Sequence, residues 1–558
     1  MTRDVFAADA ASEPSDEGPG EEAPAPPPPT AASGAGGRRD VGRRSAALLV
    51  TALMAGTFVT RLIVGLHTGL DADEATTGVT AFGIIHGHLA LMESDAHYLG
   101  ALESYVLAPF VWLLGPSVEA IRVGMALLGA LYVLALYDLG RTILHRRSAT
   151  LLLAGVGAVF PLFELTMTVK AYSGYAEVML LGVICLTLAA RIGWSQGGNR
   201  LRNWLLLGLA VGVGLWSDVL LVVVLVPILL GLLCRAPVLG WAKTLRHAAW
   251  AAGGALVGFS PWILYNAIHG LASLDLPNYS TSIAHAVKGL VEEELPVFVG
   301  TSSECGHDTV YPWVAGVSFA ALVGAVLWLR RRSLSRLLHG HLTSLEPADM
   351  VLAVAPLALL SVVVGQFNGS PCQPRYLLPL AIPLAFGAAL VLMAAARPRW
   401  WMLAALIAAA YLVMASITGY GPTVNSNSRT KTGARIPTDP TQIVAALEAD
   451  HVDVVFADYW VARPILYLSG ERIDAAVYNG PIGFPSVQAE AEAAARPAWL
   501  FADGDSTIGV FEALMRSRGI TATEISVDGY ELFARLSSPL RPSDLTAYAR
   551  FWVPWGPS

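Results

Sequence analysis

Charged side chains are scarce in this sequence. Asp, Glu, Lys and Arg make up 14% of it, against about 25% in a soluble globular chain. With 54% hydrophobic residues and a mean hydropathy of +0.54, the chain cannot hide its apolar surface in water and needs lipid as solvent. An excess of basic charge is also missing. The net charge of -7 gives no footing for nucleic acid. A cleavable leader is not legible either, because the first apolar run begins only after Arg43-Arg44. The first helix is therefore expected to stay in place.

Apolar content is low in one more place, residues 1–44. Pro26-Pro27-Pro28-Pro29, scattered acids and many Ala, Gly and Ser fill this stretch. It buries too little to offset its ordering entropy, so a disordered cytoplasmic tail is expected.

A membrane-crossing helix needs roughly 20 apolar residues. Candidate runs are 45–66, 118–142, 148–169, 176–193, 203–216, 219–234, 248–266, 312–329, 350–366, 376–396 and 400–418. They predict about eleven transmembrane helices over 45–420. Lys and Arg set the orientation. Arg43-Arg44, Arg141/Arg146/Arg147, Arg191/Arg200/Arg202, Arg235/Lys243/Arg246, Arg330–Arg332 and Arg397/Arg399 all fall inside in one topology. The loop 67–117 has no Lys or Arg at all, which places it outside. The short run 99–114 is then interfacial or re-entrant, since counting it as a span would invert every later loop. A protein of the cytoplasmic membrane follows, its N-terminus inside and its C-terminal part outside.

Residues 421–558 change character. A helix at 441–449 leads into strands near 452–457, 473–478, 498–503 and 521–536, with helices at 461–469, 486–495 and 506–518 between them. This alternation predicts a small α/β domain. Its Tyr459-Trp460 pair suits either sugar stacking or ordinary packing.

The first loop holds six carboxylates, Asp71, Asp73, Glu74, Glu93, Asp95 and Glu103. A carboxylate at the water–lipid boundary is a candidate general base, since partial burial lifts its pKa toward a useful range. Asp71 and Asp73 are also a possible divalent-metal pair. His67, His86, His88 and His97 in the same loop leave zinc open. Outer cations are few: Arg122, Lys170 in Lys170-Ala171-Tyr172, Lys288, and Arg375 in Arg375-Tyr376. They are either snorkelling side chains or holders of an anionic lipid-linked substrate. Cys185 and Cys234 fall in apolar runs and read as small buried hydrophobes. Cys305 and Cys372 fall in outer loops, on the oxidising side, where a disulfide is expected.

Several segments together carry a family resemblance. They are Asp73-Glu74-Ala75 after the first span, Tyr98-x-Gly-x-Leu-Glu103-Ser-Tyr105, Leu107-Ala108-Pro109-Phe110, Arg122 at the next span, and Arg375-Tyr376-Leu377-Leu378-Pro379. Over about 45–400 the chain resembles the GT-C glycosyltransferases of the protein-mannosyltransferase and aminoarabinose-transferase type. The resemblance implies inverting transfer of a sugar from a polyprenyl-phosphate donor on the outer face, without a certain cofactor. The acceptor is a glycan, a lipid or a protein hydroxyl. Asp73 matches the family's catalytic carboxylate. Glu74 sits beside it, and Asp71 is the rival base. Glu103 matches a second loop carboxylate, but the Lys that follows it in the family is Ser104 here. Glu103, Tyr105, Arg122, Lys170, Tyr172, Arg375 and Tyr376 are the expected substrate-binding residues. Two other readings stand beside this one: a transporter or flippase of a lipid-linked precursor, and a non-catalytic scaffold. A transporter favours internal repeats and ionisable groups deep in its spans, and neither is evident in the sequence.

Overall fold

The computed structural model describes residues 33–159, 161–274, 282–299, 312–365, 374–394, 407 and 440–549. Two compact units divide at Leu48/Leu49, and the larger, 49–558, holds everything described below except the start of the first helix. Among the described residues six helices are long and apolar enough to cross a membrane: Ser45–Leu66, Val118–Ile143, Tyr175–Trp194, Val219–Leu239, Pro347–Gly365 and Arg375–Ala394. The chain is a multi-pass membrane protein. Its expected eleventh span, 400–418, lies outside the described residues apart from Ile407, and the pair Cys305 and Cys372 lies wholly outside them.

Three expectations are corrected. The run 148–169 is two helices, Arg147–Gly157 and Leu162–Met167, divided at Pro161. Proline has no N–H to donate and its ring clashes with the preceding turn. The run 248–266 is likewise broken: Trp241–Gly258 ends, and Ser260–His269 restarts with Pro261 in its first turn. The first helix begins at Ser33, so residues 33–44, expected in the tail, extend it. The short apolar run forms the helix Leu102–Leu114, 13 residues long and thus about 20 Å. That is too short for a hydrocarbon core of roughly 30 Å.

The C-terminal part is the expected α/β domain. Five strands, β1 (Val454–Asp458), β2 (Asp474–Asn479), β3 (Ala498–Ala502), β4 (Thr523–Val527) and β5 (Tyr530–Ala534), form one sheet in the order β2-β1-β3-β5-β4. β1 is parallel to β2 and β3, whereas β5 runs antiparallel to β3 and β4. Side chains alternate between the faces of a strand. One face presents Phe456, Trp499, Phe501 and Phe533 to Phe511, Leu514 and Met515 of helix Thr507–Arg518. The other presents Val455, Ala457, Leu500 and Leu532 to Ile443, Leu447, Ile465 and Leu466. This second core does not stop at the domain edge. It runs on into Ala75 and Val79 of the first loop and Ile121 and Met125 of the following span.

Candidate active site

The first loop opens with helix Ala72–Ile85, which we call the loop helix. Its start is built into the sequence. Asp71 caps it by accepting from the Glu74 N–H at 3.1 Å, and Glu74 reaches back to the Asp71 N–H. Such a reciprocal box satisfies two otherwise orphaned donors, and acids in the first turn suit the helix dipole. The turn therefore presents three carboxylates in three directions.

Glu74 points inward. It is wholly buried and paired with the equally buried Arg122. Arg122 also donates to the Gly65 and Gly69 carbonyls at 2.9 and 3.1 Å. The Ala171 N–H donates to Glu74 at 3.1 Å. Asp71 accepts from Lys170 Nζ at 2.9 Å and from the Tyr172 hydroxyl at 2.6 Å. Although burial opposes its charge, Lys170 and these hydrogen bonds hold the Asp71 carboxyl below its usual range. Lys170 also lies 3.8 Å from Glu74. Arg122, Lys170 and Tyr172, expected on substrate, thus each have a carboxylate partner within the protein.

Asp73 points the other way. It is exposed, while its helix neighbours Ala72, Glu74 and Ala75 are buried. Its Oδ1 accepts from the Tyr459 hydroxyl of the C-terminal domain at 2.8 Å. The protein surrounding it, then Asp71, push its carboxyl up to about 6 against the pull of Tyr459 and Arg375, and Asp95 adds to the rise. Two carboxylates two residues apart are therefore driven in opposite directions.

A second group lies beneath. The Ser104 hydroxyl lies 2.8 Å from Glu93 and 3.1 Å from the Thr77 carbonyl, both acceptors for it. Burial pushes Glu93 up to about 7. Both oxygens of Glu103 and of Glu177 are buried without a donor. Burial first, then the neighbouring Glu177 carboxyl, raise Glu103 well above the ordinary glutamate value. Arg375 differs from the other cations: among the described residues it has no carboxylate within salt-bridge distance, and its Nε is buried without a partner. Its guanidinium lies 5.7 Å from the Tyr376 ring, and it acts electrostatically on both Asp73 and Asp218. Tyr105 donates to the Ala90 carbonyl at 3.0 Å. His67, His86, His88 and His97 are all exposed, and among the described residues no group of three His, Cys, Asp or Glu is arranged to hold a metal.

The sequence reading missed Arg463 and Tyr467. Arg463 forks onto Asp95, with both contacts at 3.1 Å, and Tyr467 both donates to and accepts from the Ser117 backbone. A signal for them existed. Tyr459, Arg463 and Tyr467 recur every four residues along helix Tyr459–Leu468, which puts them on one stripe.

The molecule thus combines a helical membrane bundle, a carboxylate-rich first loop and an α/β domain packed against that loop. Residues 101–265 match the family described as dolichyl-phosphate-mannose-protein mannosyltransferase. Among solved structures, ArnT from Cupriavidus metallidurans in the apo state aligns with a TM-score of 0.55 at 12% identity, over 88% of this chain and 98% of that one. The same protein bound to undecaprenyl phosphate aligns with a TM-score of 0.51 at 13% identity, over 87% and 97%. A search by sequence among curated proteins gives no match. The chain shares the fold of these GT-C glycosyltransferase structures, and its segment 101–265 matches the mannosyltransferase family.

Proposed function

We propose that the chain moves a sugar from a polyprenyl-phosphate donor to an acceptor hydroxyl on the outer face of the cytoplasmic membrane, with inversion. The observation that carries the reading is the first turn of the loop helix, where Asp73 is the exposed carboxylate while Asp71 and Glu74 are consumed by Lys170 and Arg122. In this reading Asp73 takes the proton as the acceptor oxygen attacks the anomeric carbon. The bond from that carbon to the phosphate oxygen breaks, and polyprenyl phosphate leaves with the electron pair. A base held near 6 is ionised at neutral pH yet still basic enough to accept a proton. The leaving phosphate requires a fixed cation. Arg375 supplies it, because its charge is not spent on a carboxylate among the described residues and it already acts on Asp73. Solved ArnT binds undecaprenyl phosphate, which supports a lipid phosphate as the leaving group here. The orientation rests on the Lys and Arg of the opposite loops.

The test is transfer by full-length protein in proteoliposomes supplied with a panel of polyprenyl-phosphate hexoses and pentoses and extracted membrane acceptors. Asp73→Asn is expected to lose about 10²–10⁴ in rate while retaining a folded elution profile. Full transfer by Asp73→Asn would remove Asp73 as the base.

A further inference from the structure

The C-terminal domain is bolted to the first loop through one helix, Tyr459–Leu468, called the docking helix. Each rung of its polar stripe meets a different part of the membrane domain. Tyr459 donates to Asp73 Oδ1 at 2.8 Å. Four residues on, Arg463 grips both oxygens of Asp95 at 3.1 Å and the Pro481 carbonyl at 3.0 Å. Its guanidinium lies 5.5 Å from the Tyr459 ring and 4.8 Å from the Phe484 ring, so the same clamp that fixes the domain also fixes Tyr459. Four residues further, Tyr467 is locked to the Ser117 backbone. The fit leaves no room. A Cβ on Gly78 of the loop helix would stand 2.7 Å from the Tyr467 ring, and one on Gly483 would overlap Asp95.

Arg463 and Tyr467 hold the domain to loop residues other than Asp73. Tyr459 does something else, because its hydroxyl ends on the carboxylate read above as the base. The Tyr459 phenol is held well above its ordinary pKa by burial and by Asp73 and Asp95, so it remains a donor throughout the working range. Among the described residues Asp73 Oδ2 has no hydrogen-bond partner, and Asp73 is exposed. One oxygen is held and the other is open.

We propose that Tyr459 is a positioning residue of the transfer site: its hydroxyl holds Oδ1 of Asp73 and turns Oδ2 toward the acceptor hydroxyl. The C-terminal domain is then part of the active site, and not a separate module tethered to it. This inference rests on the reading of Asp73 as base, and its test is independent of that reading.

A hydrogen bond donated to a carboxylate favours the charged form and lowers its pKa. Removing it raises the pKa. The other groups acting on Asp73, namely Asp71 and Asp95 on the loop and Arg375 on its span, stay in place in Tyr459→Phe, as do Lys170 and Tyr172 beside Asp71 and Arg463 beside Asp95. The ring and its packing are kept as well. The experiment is an infrared pH titration of full-length protein in nanodiscs without substrate. The carboxyl band that disappears in Asp73→Asn is followed in the wild type, Tyr459→Phe and Tyr467→Phe. The band is expected to titrate near 6 in the wild type and about one pH unit higher in Tyr459→Phe. Tyr467→Phe, which loses a docking bond and no contact to Asp73, is expected to leave the midpoint in place while lowering thermal stability. An unmoved midpoint in folded Tyr459→Phe, or an equal movement in Tyr467→Phe, would overturn the inference. Should Tyr459→Phe not fold, replacement of Tyr459 by 4-aminophenylalanine, which keeps the ring and a neutral donor at the same position, is expected to titrate within a few tenths of a unit of the wild type, and a full unit of rise there would also count against it. Transfer by Asp73→Asn, measured separately, decides the base.

Discussion

The two sides of one helical turn have opposite characters. On the membrane side of the loop helix, Glu74 and Asp71 are matched by Arg122, Lys170 and Tyr172, and little donor or acceptor capacity is left over. On the side facing the C-terminal domain, Asp73 has one neutral donor and an open oxygen. Three carboxylates within four residues thus divide into two that are paired within the protein and one that keeps an open oxygen. The lesson is that proximity in sequence does not make acids equivalent. The partners that the fold brings to each one set its role.

That contrast can be broken at its saturated side. Arg122→Met leaves Glu74 buried and unpaired, and breaking a buried pair costs about 3–5 kcal/mol. Thermal unfolding in detergent is expected to register this as the largest loss of any single change here. Adding Glu74→Met should recover much of it, since replacing both charges by apolar groups is often neutral. A smaller effect is expected from Asp71→Asn, which frees Lys170 and Tyr172 beside the site. Transfer should fall about tenfold, well short of the loss from Asp73→Asn. An equal loss from the two would erase the distinction between the sides. The smallest effect belongs to Glu103→Gln. Because Glu103 is raised well above 4.5, the folded state holds a proton that the unfolded chain releases, and wild-type stability declines as pH rises past 4.5. Glutamine copies the neutral acid, so the variant should stay within about 0.5 kcal/mol of the wild type at pH 5 and exceed it at pH 8, read from denaturation at the two pH values.

Much of the architecture was legible because it follows local patterns. The helix Thr441–Ala449 falls where its apolar spacing puts it, and the strands and helices of the C-terminal domain follow in the expected order. Reading 99–114 as too short to span agrees with helix Leu102–Leu114. The breaks at Pro161 and Pro261 were signalled by the prolines themselves, and the apolar runs around them masked that signal. In the site, the acids were visible as a cluster, but their division was not. Whether Lys170 serves Asp71 or a substrate depends on a contact across 99 residues, which no local period encodes. Tyr459 was noticed for its ring, whereas the structure uses its hydroxyl on Asp73.

The Tyr459–Asp73 contact joins residues 386 positions apart. At about 5–20 residues per second, a ribosome takes roughly 20–80 s to travel from one to the other. Asp73 is made early and waits, unheld, while every intervening span is inserted. Only after the docking helix has been made and folded does the Asp73 carboxylate acquire its hydrogen-bond partner, so a half-made chain presents the acid without it. Synthesis itself thereby orders the events: the carboxylate first, and its hydroxyl partner nearly last.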